Sequence, residues 1–154
     1  MSDSDAASGA NDSEADKDAK DAGDATVSFD CIALDCADPA GVARFYADLL
    51  GGTVRGEGDE DGDWFDVLWD GPRISTQLAP NHESPDWPRG QQQVHLDFVV
   101  ADVASAHERV LALGGTALDP VEPPQPAPER GFRVYADPAG HPFCLCRPTR
   151  EAWG

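Results

Sequence analysis

The 154-residue chain has no apolar run approaching the ~20 residues needed to cross a bilayer. Its start lacks the basic stretch and apolar segment that mark a secretory signal, so the expected compartment is the cytoplasm. Positive charge is scarce. Eleven Lys and Arg stand against 29 Asp and Glu, a formal net charge of −18. Such a surface repels phosphate backbones and anionic headgroups, so neither nucleic acid nor membrane is an expected partner. Cysteine is sparse as well: Cys31, Cys36, Cys144 and Cys146. Their C-x4-C and C-x-C spacings match no structural zinc motif, and in a cytoplasmic chain they are expected to stay reduced.

Residues 1–25 contain, apart from Met1, no aromatic side chain and no aliphatic one larger than Ala. They cannot bury enough apolar surface to offset the entropy of ordering, so an acidic, disordered tail is expected there. The tail takes eight of the acids and two of the bases, leaving 21 acids and nine bases, all Arg, in the body. That residual charge of −12 is read as a bias towards solubility or halotolerance. Residues 149–154 are read as a C-terminal tail.

What the body does contain is a repeat. "ADPAGVARFYADLLGGT" (37–53) and "ADVASAHERVLALGGT" (101–116) both run Ala-Asp, about three helical turns, then Leu-Gly-Gly-Thr. Asp38 and Asp102 are expected N-caps, with Pro39 in the first helical position. Gly51 and Gly114 follow the last apolar helical residue, as left-handed C-caps do. Val42, Phe45, Tyr46 and Leu49 space as one helical face, and so do Val103, Ala106, Val110 and Leu113.

A strand precedes each helix, "VSFDCIALDCA" and "QQVHLDFVVA", and three shorter strand-like runs follow it. These are "TVRGE", "DWFDVLWD" and "RISTQLA" in one half, "TALDP", "FRVYAD" and "PFCLCRP" in the other, with turns at 70–71 and 139–140. The expected fold is α+β: two tandem βαβββ modules, 26–80 and 93–148, each a mostly antiparallel sheet with a helix on one face. The free faces are then available to form a cleft. Loops 80–92 and 120–131 are long enough to be functional, mobile, a linker or a spacer. Trp87 in the first is either a ligand contact or a lid anchor.

Strand alternation sorts the side chains. One face of the first strand carries Cys31, Ala33 and Asp35. One face of "HLDFVV" carries His95, Asp97 and Val99, and one face of "FCLC" carries Cys144 and Cys146. The opposite positions, Ile32, Leu34, Leu96, Phe98, Phe143 and Leu145 among them, are apolar and suit packing under a helix.

The segments "LDCADPAGVARFYADLLGG", "QVHLDFVVADVASAHERVLALGG" and "RVYADPAGHPFCLCRP" resemble the vicinal oxygen chelate superfamily, in its glyoxalase-like branch, over residues 27–148. That superfamily also holds extradiol dioxygenases and fosfomycin and bleomycin resistance proteins. The resemblance implies a cleft with metal ligands from the first and last strand of each half. Cys31 and His95 match the first-strand positions, and Cys144 stands where metal enzymes carry Glu. Gln77 is near the remaining position, with Ser75 as the alternative. The implied metal set is therefore Cys31, His95 and Cys144, for a divalent ion such as Zn²⁺, Fe²⁺, Ni²⁺ or Mn²⁺. The proton-shuttling glutamate of glyoxalase I has no counterpart, so that activity is not expected.

His95 has three readings: a metal ligand, a substrate-binding or general-base group, or a satisfied core histidine. Asp35, Gln77, Trp87, Asp97 and Cys146 are candidate ligand contacts. Asp35 and Asp97 could instead orient His95, cap loops, or pair with Arg73 or Arg133. The cysteines are read mainly as small apolar fillers. His82 and His107 are expected at the surface, and His141 in a structural turn. Two function classes follow. One is an enzyme of lyase, isomerase or dioxygenase type acting on a small organic molecule. The other is a protein that sequesters a drug or metabolite. A homodimer is a possible assembly for either.

Overall fold

The computed structural model describes residues 28–56, 62–91, 94–125 and 131–148. Both expected tails, 1–25 and 149–154, lie outside them. Among the described residues eight strands and two helices run in chain order: β1 Ile32–Cys36, α1 Pro39–Leu50, β2 Thr53–Gly56, β3 Trp64–Leu68, β4 Ile74–Leu78, β5 Leu96–Val99, α2 Val103–Ala112, β6 Thr116–Asp119, β7 Phe132–Ala136 and β8 Pro142–Cys146. They form two four-stranded sheets, ordered β1-β4-β3-β2 and β5-β8-β7-β6. In each the first and last strands of the module pair in parallel and the other neighbours are antiparallel. Among the described residues no helix is long and apolar enough to cross a membrane.

The helix ends follow from the repeated residues. Asp38 accepts from the Gly41 N–H, and Asp102 from the N–H groups of Ala104 and Ser105. These bonds satisfy donors that the first turn leaves without partners. Each Leu-Gly-Gly-Thr divides its work between two glycines. Gly51 and Gly114 hold φ of +70° and +92°, a region costly for other residues. The second glycine gives closeness instead. A Cβ on Gly52 would stand 2.4 Å from the Leu68 carbonyl oxygen, and one on Gly115 2.6 Å from Val110 Cγ1.

α1 is buried on two sides. Val42, Ala43, Phe45, Tyr46 and Ala47 are buried within it. Besides its own sheet, it meets the second sheet through Phe143, whose ring centroid lies 5.8 Å from that of Phe45 and 6.2 Å from that of Tyr46. Phe98 reaches Tyr46 at 6.3 Å and Trp69 at 6.1 Å. The two modules therefore share one core, and full burial of a side chain such as Phe143 contributes roughly 1.5–3 kcal/mol.

His107 departs from the sequence expectation. It is buried, with Nδ1 3.2 Å from the Tyr135 hydroxyl. It follows Val103 by four residues and precedes Val110 by three, so it falls on the stripe that packs inward. His82 is half-buried, and its Nε2 meets the Ala139 carbonyl at 2.9 Å.

Candidate functional site

Helix packing covers one side of each sheet and leaves the other open. Cross-strand register defines what stands on the open sides. On the first sheet one row runs Arg55, Asp66, Ser75, Ala33 and the next Trp64, Gln77, Asp35. On the second sheet one row runs Asp97, Cys144, Val134, Asp119 and the next Val99, Cys146, Phe132. The registers also identify repeat partners. Ser75 faces Ala33 as Cys144 faces Asp97, so Ser75 is the internal counterpart of Cys144, and Gln77 that of Cys146.

The first open face is internally satisfied. Asp66 is buried and accepts from Arg55 Nη2, Trp64 Nε1 and Ser75 Oγ at 2.8 Å each, and from Arg73 Nη1 at 3.2 Å. Burial pushes its carboxyl up, but those bonds and the Arg73 charge outweigh it and bring the pKa down to about 2. A cavity of about 370 Å³ lies over this cluster, lined by Arg55, Gly56, Trp64, Asp66 and Arg73. The sequence reading missed the cluster. Alternation alone puts Trp64 and Asp66 on the face of Ser75, but bringing in Arg55 requires the β2–β3 register.

The second open face differs. β5 begins at Leu96, so His95 sits just before the strand. His95 and Asp97 are more than half exposed, at 55% and 58% of their side-chain surface, and His95 Nε2 lies 3.6 Å from Asp97 Oδ1. Cys144 is buried beneath them. Among the described residues, His95, Asp97 and Cys144 are the group of metal-ligating side chains that converges, each offering an atom within 4.8 Å of the others. Cys144 is held as a thiol, its pKa pushed up to about 12 by burial and then by the Asp97 hydrogen bond and charge. Cys146 moves the same way, through burial and Asp97. A neutral thiol is a poor nucleophile.

Several residues singled out from sequence lie apart from this group. Cys31 is half-buried just before β1 and is not a member of that group. Asp35 and Gln77 are exposed neighbours on the first sheet. Trp87 is half-buried in the loop after β4. Arg73 pairs with Asp66 and with Asp30, at 2.5 Å, instead of with Asp35 or Asp97. Arg133 takes the helix side of β7, where its guanidinium donates to the carbonyls of Pro120 and Glu122.

Between the modules lies a third polar cluster. Asp137 accepts from Tyr46 Oη at 3.0 Å, from the Ala139 and His141 N–H groups at 2.9 Å, and meets His141 Nδ1 at 2.8 Å. His141 Nε2 reaches across to the Asp35 carbonyl at 2.9 Å. The structural turn expected at His141 is thus also a tie between the halves.

Solved structures with the same arrangement include a point mutant of the fosfomycin resistance protein FosX from Listeria monocytogenes, solved with Mn(II) and 1S,2S-dihydroxypropylphosphonic acid. It is 20% identical with a TM-score of 0.60, over 82% of this chain and 96% of that one. A glyoxalase-related enzyme from Fulvimarina pelagi is 23% identical with a TM-score of 0.57, over 79% and 88%. An integron cassette protein from V. cholerae is 20% identical with a TM-score of 0.51, over 80% and 97%. At these identities the likeness establishes the fold alone; membership of the vicinal oxygen chelate superfamily rests on it together with the family match over residues 31–146. No curated protein matches the chain. The family model for the glyoxalase-like domain matches residues 31–146, spanning both modules, and the chain belongs to that family.

Proposed function

We propose that the chain binds a small organic molecule over the open face of the second sheet and acts on it as an enzyme of lyase, isomerase or dioxygenase type. The observation that carries this reading is the convergence of His95, Asp97 and Cys144 on an exposed surface. Imidazole, carboxylate and a cysteine sulfur together fit a divalent ion of the Zn²⁺, Fe²⁺, Ni²⁺ or Mn²⁺ group; a bound ion would displace the Cys144 proton, and the resulting thiolate would favour Zn²⁺. Three protein ligands leave a coordination position for substrate, and a bound ion would supply Lewis-acid polarisation of a substrate oxygen. His95 and Asp97 would then hold the ion from the solvent side and Cys144 from beneath. Cys146, on the same open face, is the further ligand contact of this reading, while Asp35, Gln77 and Trp87, on the first sheet and the loop after β4, would meet only a ligand that reaches across to that module. A cytoplasmic homodimer is its setting, checked by sedimentation of the full chain.

The departure of the first face supports a second reading, sequestration without turnover. There, Ser75 stands where the second face has Cys144, and its hydroxyl is committed to Asp66. Metal analysis of the purified full chain, reduced and oxidised, separates these possibilities. Under the first reading about one ion per chain is retained and is lost in His95→Ala. No metal in either redox state would remove the metal from the proposal. Binding of small oxygenated molecules without turnover would favour sequestration.

A further inference from the structure

His141 is held at both ring nitrogens by groups placed to accept. Nδ1 faces Asp137 Oδ2 at 2.8 Å and Nε2 faces the backbone oxygen of Asp35 at 2.9 Å. A neutral imidazole has one N–H and can satisfy only one of these, whereas the cation has two. Asp137 is not the proton's place. Its Oδ1 already receives two backbone N–H groups, and its Oδ2 receives the Tyr46 hydroxyl. With its side chain wholly buried, that carboxylate needs a positive partner, and His141 is the one it has.

The groups around the pair agree. From α1, the Tyr46 hydroxyl is raised well above its ordinary pKa by burial and by Asp137, so it stays a donor. From β1, the Cys36 thiol is pushed up to about 11 by burial and by the charges of Asp137, Asp38 and Asp35, so it stays neutral. From the loop after β4, the His82 ring lies 5.0 Å away at 39°, its Nε2 directed to the Ala139 carbonyl. Asp35 and Asp38 add negative charge from β1 and the α1 cap.

We propose that protonated His141 is a bolt between the two modules, and that loss of its proton slackens the junction at the end of β1, where Asp35 and Gln77 stand on the open face. The device does not depend on any ligand or ion at His95. Burial alone would lower the His141 pKa, but the hydrogen bond and charge of Asp137, then the contacts with Asp35, raise it above 6.5. The stabilisation is therefore complete below the ordinary histidine range and is lost as pH rises through the raised folded value.

The test uses the full chain labelled with ¹⁵N-histidine. Imidazole nitrogen spectra of the wild type, assigned by comparison with His141→Gln, should show both His141 nitrogens protonated at pH 7. Amide exchange gives a second arm. The protection of Ala79, whose N–H bonds the Cys36 carbonyl at the end of β1, and of Gly140, bonded to the Asp137 carbonyl, should fall about tenfold between pH 6 and pH 9. His141→Gln should show no such fall. A singly protonated ring at pH 7, or the same loss of protection in the variant, would overturn the proposal.

Discussion

The two modules share strand order and register, yet their open faces differ in chemistry. On the first, Asp66 gathers four donors and the polar groups answer one another. On the second, His95 and Asp97 stand largely exposed over the buried thiol of Cys144. One repeated backbone thus carries a self-satisfied surface and an available one. The difference lies in a few alternating positions: Ser75 against Cys144, Asp66 against Val134, Arg55 against Asp119. A fold of this kind can fix its stability on one sheet and its chemistry on the other.

The widest test removes what the modules share. Phe143→Ala empties a fully buried position that touches Phe45, Tyr46, Phe98 and Tyr135. It should cost about 3–5 kcal/mol in urea denaturation, in one transition. Two separable transitions would show the halves to be independent. Next, Asp66→Ala should cost about 3 kcal/mol, because Arg55, Arg73, Trp64 and Ser75 lose a common buried acceptor. Since the folded pKa of Asp66 is depressed from 3.8 to about 2, its stabilisation is present above pH 4 and lost as pH falls towards 2. Acid titration of stability should therefore be shallower over that window in Asp66→Asn than in the wild type.

A smaller effect is expected at the junction. Tyr46→Phe removes a buried hydroxyl that donates to the Asp137 carboxylate and should cost about 1.5–3 kcal/mol, read by thermal or urea unfolding. The smallest belongs to the available face. His95→Ala should change stability by no more than about 0.5 kcal/mol, because the side chain is 55% exposed. A large destabilisation there would mean that the second face is as self-supporting as the first, and the contrast would fail.

Much of this architecture was legible in the sequence because the repeat fixes local physics twice. Asp38 and Asp102 cap, Gly51 and Gly114 turn left-handed, and alternation puts His95, Asp97, Cys144 and Cys146 on one side. What stayed hidden depended on distance along the chain. Whether Ser75 or Gln77 answers Cys144 is decided by the β1–β4 register, which a five-residue strand does not announce. The Asp66 cluster joins β2, β3 and β4, and the Asp137–His141 cluster joins a turn to α1 and β1. His107, expected at the surface, was legible as buried: its spacing from Val103 and Val110 puts it on the inward stripe.

The packing of α1 against both sheets has a consequence for how such a chain can change. A residue such as Phe143 answers to its own sheet and also to a helix encoded a hundred positions earlier. Substitution on that side has to be negotiated between the halves. Substitution on the open side concerns one sheet alone. Divergence after an internal duplication is then channelled to one surface of each unit, so novelty accumulates where a ligand can meet it and the concealed side stays recognisably double.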